Sequence, residues 1–115
     1  MKINPITDTA RVNAAQAFAA LGSEQRLGVL RALVRSGPEG LSIGELGVKT
    51  GITGATLTHH VKFLAHAGLV SQTRKGRSII CAAVAYDVVQ NLSDFLLSEC
   101  CADTTSKQHD HGSHQ

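Results

Sequence analysis

Ser42-Ile-Gly-Glu45-Leu-Gly-Val-Lys-Thr-Gly51-Ile-Thr53-Gly-Ala-Thr-Leu57-Thr-His-His-Val61-Lys-Phe-Leu64-Ala-His-Ala-Gly68 is the stretch that decides the fold. Ser42 and Glu45 have the S-x-x-E spacing of a capping box, which starts a short helix with Ile43 and Leu46 turned inward. Gly51 ends that helix, because a left-handed turn residue carries no steric cost when it lacks a Cβ. Thr53 stands where the cap of the next helix belongs. Leu57, Val61, Leu64 and Ala65 then recur at helical spacing, Phe63 lies at the flank, and Gly68 closes the run. A short capped helix, a glycine turn and a second helix with few apolar groups in its first turn make a helix-turn-helix.

Working outward, residues 8 to 21 place Val12, Ala15, Phe18 and Ala19 at helical spacing, with Thr7 or Asp8 as the cap and Gly22 as the stop. Ser23 opens a second helix with a face of Leu27, Leu30 and Val34, flanked by Val29 and Leu33. Gly37-Pro38 ends it, since proline cannot continue a helix. Beyond Gly68 the period changes to that of strands. Residues 69–73 and 78–82 read as a hairpin joined by a basic tip, Arg74-Lys75-Gly76-Arg77. A last helix is expected from Tyr86 to Cys101, with Val88, Val89, Leu92, Phe95, Leu96 and Cys100 as its apolar stripe. The predicted order is helix, helix, helix, helix, strand, strand, helix: a mainly α domain over residues 1–102 with a β-hairpin wing. Residues 103–115 form a polar, His-containing tail expected to be disordered.

Composition agrees with this reading. The 115 residues suit one domain, and 43% hydrophobic residues are enough for a core. Three Phe and one Tyr leave Ala, Leu and Val to fill it, which favours helices. The longest apolar run, Ile79 to Ala85, is far short of the ~20 residues that span a bilayer. The N-terminal residues have no apolar stretch that would make a secretory signal, so a soluble, cytoplasmic protein with no membrane partner is expected. Three cysteines, an odd number, do not make a disulfide framework and read as thiols.

Charge is distributed unevenly. No carboxylate occurs between Glu45 and Asp87, where Lys49, Lys62, Arg74, Lys75 and Arg77 contribute +5. Residues 87–115 hold Asp87, Asp94, Glu99, Asp103 and Asp110 against Lys107, a net of −4. A surface cleared of acids is what a polyanion requires, because phosphate contacts supply most non-specific DNA affinity. The N-terminal residues of the second helix of a helix-turn-helix enter the major groove. In this chain they are Thr53, Ala55, Thr56, Thr58 and His59, suited to bases or phosphates, with Lys62 suited to a phosphate. The wing cations Arg74, Lys75 and Arg77 form a second candidate contact, at a minor groove or its flanking phosphates.

The run Thr53-Gly-Ala-Thr-Leu-Thr-His-His-Val-Lys-Phe-Leu-Ala-His-Ala-Gly-Leu-Val70 resembles the recognition helix and following strand of ArsR-type (ArsR/SmtB) metalloregulators. Leu21-Gly-Ser-Glu-Gln-Arg-Leu-Gly-Val-Leu30 is similar to the family's second-helix signature, and Arg74-Lys-Gly-Arg77 to its wing tip. The resemblance covers residues 9 to about 101. It implies a homodimer through the first and last helices, bound to an imperfect palindrome in double-stranded DNA as a repressor and released by a ligand. A dimer is reasonable on independent grounds, since the Ala-rich first helix can pack closely and the last helix is more apolar than a monomer readily hides. Its half-sites would lie about one DNA turn (~34 Å) apart.

Cys100 and Cys101 are adjacent at the predicted end of the last helix. Neighbouring helical positions do not share a face, so two core-packing thiols side by side are not expected, whereas a frayed turn lets both sulfurs converge. Soft thiolates select thiophilic ions. The run Phe95-Leu-Leu-Ser-Glu-Cys-Cys101 resembles the C-terminal Cys pair of an arsenic-responsive subgroup, implying trivalent arsenic or antimony, inorganic or methylated, as effector. Two departures from the family stand out. Ser42, Gly44 and Gly47 occupy the helix where its best-known arsenic sites carry cysteines, and Asp87 is followed two residues later by Val89 where zinc sensors carry His. Cys81, on the second wing strand, is the candidate third ligand; its competing reading is a small buried hydrophobe. Without it, a two-thiol site suits an arsenical that already carries one organic group.

Other readings compete. Thiol redox or another metal are alternative signals for the same fold. His109, His111 and His114 form a short tract of the kind that binds metals, against the plainer reading of a solvated tail. A thiol enzyme would need a cysteine beside a cation or a helix N-terminus, and these follow Glu99 at a helix C-terminus. A winged helix used only for protein contacts fits poorly with the acid-free basic segment.

Overall fold

The computed structural model describes residues 5–84 and 86–104, with side chains from Asp8 onward. The elements are α1 (Pro5–Ala20), α2 (Glu24–Ser36), β1 (Leu41–Ser42), α3 (Ile43–Thr50), α4 (Gly54–His66), β2 (Val70–Lys75), β3 (Ser78–Ala83) and α5 (Tyr86–Leu97). The expected order of helices and hairpin holds, with one addition. β1 joins the hairpin to make an antiparallel sheet in the order β1-β3-β2, pairing Leu41 with Cys81 and Ser42 with Ile80. Gly40 permits that approach. Its φ is 74°, and a Cβ there would run into the backbone carbonyl of Cys81.

The capping box forms as expected. The Ser42 hydroxyl accepts from the Glu45 N–H at 3.1 Å, and the Glu45 carboxylate accepts from the Ser42 N–H at 2.9 Å. The Gly51 N–H then closes α3 on the Gly47 carbonyl at 2.8 Å. Ser42 thus ends the edge strand and caps the helix. Ser42→Ala should cost about 1 kcal/mol, read in urea titration as a lower midpoint at unchanged slope. Thr53 occupies the cap position of α4, but its side chain makes no capping hydrogen bond. The expected cap is therefore backbone only, the Leu57 N–H meeting the Thr53 carbonyl at 3.2 Å.

The core is aliphatic. Val29 and Leu33 of α2, Leu46 of α3, and Leu57, Val61 and Leu64 of α4 close around Leu69 and Cys81. Three faces depart from expectation. α1 starts at Pro5, ahead of the predicted caps, so Asp8 lies in its first turn, where it pairs with Arg11. It buries Ala14, Ala17 and Ala20, the side opposite Val12 and Ala15, because three alanines let the helix lie close to its neighbours. In α2 the buried set is Val29, Leu30 and Leu33, while Leu27 and Val34 are exposed.

α5 turns Val89, Leu92 and Phe95 partly inward and fully buries no residue. It ends at Leu97, short of the predicted Cys101, because Glu99 (φ 64°) and Cys101 (φ 67°) are left-handed and cannot continue a helix. The hairpin is longer than expected, pairing through Lys75 and Ser78, with Gly76 and Arg77 as a two-residue turn. Most of the polar tail, residues 105–115, lies outside the described residues.

Candidate nucleic-acid interface and dithiol site

Leu57, Val61 and Leu64 hold one side of α4 in the core, and this fixes what the other side presents. Ala55, Thr58, His59 and Lys62 recur at three- and four-residue spacing along the outer face, and they are exposed together with Thr53 and Thr56. With no side-chain cap to make, the Thr53 hydroxyl is available to a ligand.

Arg74, Lys75 and Arg77 are exposed as expected, but they do not all project from one loop. Arg74 and Lys75 are consecutive β2 positions and so face opposite sides of the hairpin, while Arg77 stands in the turn itself. Among the described residues the only ion pair joins Asp8 and Arg11, so none of the cations on α4 and the wing is neutralised by a neighbour.

Behind the outer face His60 lies toward the inner edge, where the spacing puts it, but pattern reasoning missed the partners that it and Phe63 find on α2. His60 is only 8% exposed, and its Nε2 lies 2.9 Å from the Gln25 side-chain oxygen, 35 positions earlier on α2. That oxygen accepts, so Nε2 carries the hydrogen; Nδ1 is buried without a partner. The next residue of α2, Arg26, donates through Nε to the Ala20 carbonyl at 2.7 Å and lays its guanidinium 4.0 Å from the Phe63 ring centre. Burial, with Arg26 and His59 adding to it, holds the His60 pKa below its ordinary value. The folded state therefore takes up this proton less readily than the unfolded chain. The contribution to stability is complete above the ordinary histidine pKa of about 6.5 and falls as pH drops below it. Thermal melts should show Tm declining as pH falls below about 6.5, and His60→Gln should flatten that part of the profile.

The three cysteines separate into two environments. Cys81 sits in the middle of β3, opposite Leu41 and Gln72, fully buried in the core, and burial pushes its thiol pKa up. Cys100 and Cys101 are exposed, with their sulfurs 3.0 Å apart. Two residues side by side on a helix diverge by about 100°; the left-handed backbone at Glu99 and Cys101 removes that divergence. The turn is held by the Cys100 N–H on the Leu97 carbonyl at 2.9 Å and the Ala102 N–H on the Glu99 carbonyl at 3.0 Å. The hydrogen bond shared with Cys100 pushes the Cys101 thiol up.

The structure does not bring Cys81 to this pair. Among the described residues, no three His, Cys, Asp or Glu side chains gather into a group that could hold a metal ion. His109, His111 and His114 lie outside the described residues. No described helix is long and apolar enough to cross a membrane.

A family model for a helix-turn-helix domain matches residues 21–73, which run from the end of α1 into β2. An uncharacterized HTH-type transcriptional regulator of Bacillus subtilis (strain 168), YceK, is 44% identical over 64 residues. That match covers 56% of this chain and 63%, less than two thirds, of the relative.

Among solved structures, NolR from Sinorhizobium fredii is 25% identical at a TM-score of 0.63, over 87% of this chain and 96% of that one. An ArsR-like transcriptional regulator from Rhodococcus sp. RHA1 shares the fold at 22% identity and a TM-score of 0.70, covering 89% and 92% of the two chains. So does a homodimeric winged helix-turn-helix DNA-binding domain from Mycobacterium bovis, a possible ArsR-family regulator, at 21% identity and a TM-score of 0.66 over 98% and 97%. The matched segment and the shared architecture identify this chain as a helix-turn-helix protein with the winged fold of the ArsR-family transcriptional regulators.

Proposed function

We propose that the chain is an ArsR-family DNA-binding transcriptional repressor that leaves its operator when a trivalent arsenical bridges Cys100 and Cys101. The observation that carries the reading is an exposed, converged dithiol on the same chain as a second helix and wing free of carboxylates. Two such chains, joined through α1 and α5, would read an imperfect palindrome with Thr53, Ala55, Thr56, Thr58 and His59 at the base edges. Lys62 and the wing cations would lie against phosphates. The carboxylates of α5 and the turn after it, Asp87, Asp94, Glu99 and Asp103, belong to a different part of the chain from this basic face.

Two thiols fit an arsenic atom that already carries one carbon substituent. Methylarsenite, CH3As(OH)2, exchanges both hydroxyls for sulfur, forming two As–S bonds and releasing two waters, so the raised Cys101 thiol needs no separate base. Arsenite or antimonite would keep a third position, and Cys81 is too deep in the core to supply it without opening the sheet. Methylated trivalent arsenic is therefore the favoured effector.

Transmission is expected through α5. A cavity of about 560 Å³ lies among α1, α5 and the end of α4, lined by Ala14, His66, Leu69, Leu92 and Phe95 among others. Tightening the turn after Leu97 would draw on the packing of Phe95 and so on the seat of α4. The test is fluorescence anisotropy of the reduced protein on the DNA preceding its own gene, titrated with arsenite and then methylarsenite. Release by methylarsenite at near-stoichiometric concentration is expected. DNA binding indifferent to every trivalent arsenical overturns the effector assignment, and release by peroxide alone turns it into redox sensing.

The nucleic-acid half has its own test. Lys62→Gln and Arg77→Gln should each weaken binding to any duplex and lower the slope of log K against log salt by about 0.9. An unchanged slope would remove that residue from the phosphates.

A further inference from the structure

His60 faces away from the outer surface of α4, and we infer that it is the positioning residue of the recognition helix, setting that helix's rotation through its hydrogen bond to Gln25. This rests on the reading of α4 as the DNA-contacting helix.

Four observations support it. First, His60 is the only buried polar side chain in the described core, so its place is not explained by apolar packing alone. Second, its one hydrogen bond, at 2.9 Å, reaches a different helix, while the other ring nitrogen is buried without a partner. A buried unpaired nitrogen costs stability that an apolar residue of similar size would not, so a geometric benefit is the natural counterpart.

Third, the grip is two-pointed. Gln25 holds His60, and the adjacent Arg26 covers Phe63 one turn further along α4. Arg26 is itself fixed to the last residue of α1 through the Ala20 carbonyl. The aliphatic contacts of Leu57, Val61 and Leu64 are non-directional and resist separation of the helices more than rotation. A hydrogen bond on one edge and a ring contact on the next turn supply the missing directional restraint. Fourth, the residue held is next to His59, and one turn from Thr56 and Phe63, so a small rotation at His60 displaces the whole outer row.

The groups facing the imidazole are Gln25 and Arg26 from α2 and His59 from its own helix. None is a carboxylate, and the charges of Arg26 and His59 disfavour a protonated ring.

The experiment compares DNA affinity and thermal stability in His60→Leu, His60→Gln, Gln25→Leu and the Gln25→Leu/His60→Leu double variant, by anisotropy and by melting. Leucine removes the unpaired nitrogen and fills the core, so His60→Leu should melt at or above the wild-type temperature while binding DNA about tenfold more weakly. Glutamine can place an amide N–H near the Nε2 position and should restore most of the affinity. Gln25 is exposed, so Gln25→Leu folds regardless and keeps the test alive if His60→Leu does not. It should lose a similar factor, and the double variant should be no worse than either single one.

Losses that multiply in the double variant overturn the inference, as does wild-type affinity in a folded His60→Leu or in Gln25→Leu. Affinity losses that merely track lost stability overturn it too. A wild-type chain that binds no duplex DNA even at low salt overturns the reading of α4 as well, and is distinguished by failing before any variant is compared.

Discussion

Cys100→Ser/Cys101→Ser should bind DNA within about twofold of wild type, because both side chains are exposed and such surface changes rarely exceed ~0.5 kcal/mol. The same variant should lose release by methylarsenite altogether. Oxygen is a hard donor and serine hydroxyls exchange poorly for a soft ion, so no residual site of comparable strength is left on the turn. Each single serine variant should be nearly as defective. One As–S bond closes no ring across the turn, and the second bond is what ties residue 100 to residue 101.

Cys81→Ala separates the two- and three-thiol readings. It should melt earlier, since a fully buried side chain is trimmed, yet still release DNA on methylarsenite. Release retained by the double serine variant would put the effector site elsewhere in the chain. Release lost in Cys81→Ala at a temperature where it is folded would make Cys81 a ligand and require the sheet to open.

What sequence could reveal here follows from the range of the interactions involved. The capping box is written within four residues, Ser42 to Glu45, and the turn at Gly51 closes on Gly47 four positions back; both form as read. The apolar spacing of α4 is a local repeat, and its core face is the one expected. β1 was invisible because two residues carry no period; its existence depends on a glycine that lets Leu41 reach a strand 40 positions later. The buried faces of α1 and α2 were misjudged for a related reason. Val12, Leu27 and Val34 are apolar and periodic, but periodicity does not say whether the surface they meet lies in the same chain.

The site shows the same division. The exposed row on α4 follows from its core face, whereas the His60–Gln25 bond spans 35 positions and left no local sign. For the cysteines, adjacency was legible, and the need for a frayed turn could be argued from helical geometry. That the turn is made by left-handed residues at Glu99 and Cys101 could not, since neither is a residue type that announces such a backbone.

The misjudged faces lead to the second large effect. Val12 and Phe18 on α1, and Val88, Leu96 and Leu97 on α5, are exposed apolar residues on two helices that touch each other. Exposed apolar residues are ordinary when scattered, but several together on adjoining helices mark a surface meant for a partner. A twofold dimer needs a self-complementary patch, and a pair of adjoining apolar helices can meet its own copy. Leu96 is 65% exposed in the single chain, so Leu96→Asp should leave the fold of one protomer intact while placing a desolvated carboxylate in the dimer.

Sedimentation should then give the 12.1 kDa chain alone where wild type gives twice that mass. Operator affinity should fall by on the order of 100-fold, because the second half-site is no longer held at high effective concentration. Val48→Asp, on the exposed side of α3, is the control and should leave the mass at the wild-type value. A Leu96→Asp chain that remains dimeric would move the interface off α5, and with it the route from the dithiol turn to the recognition helices of both protomers. A monomer that keeps full operator affinity would mean that one recognition helix and one wing suffice, and that the operator is not a palindrome.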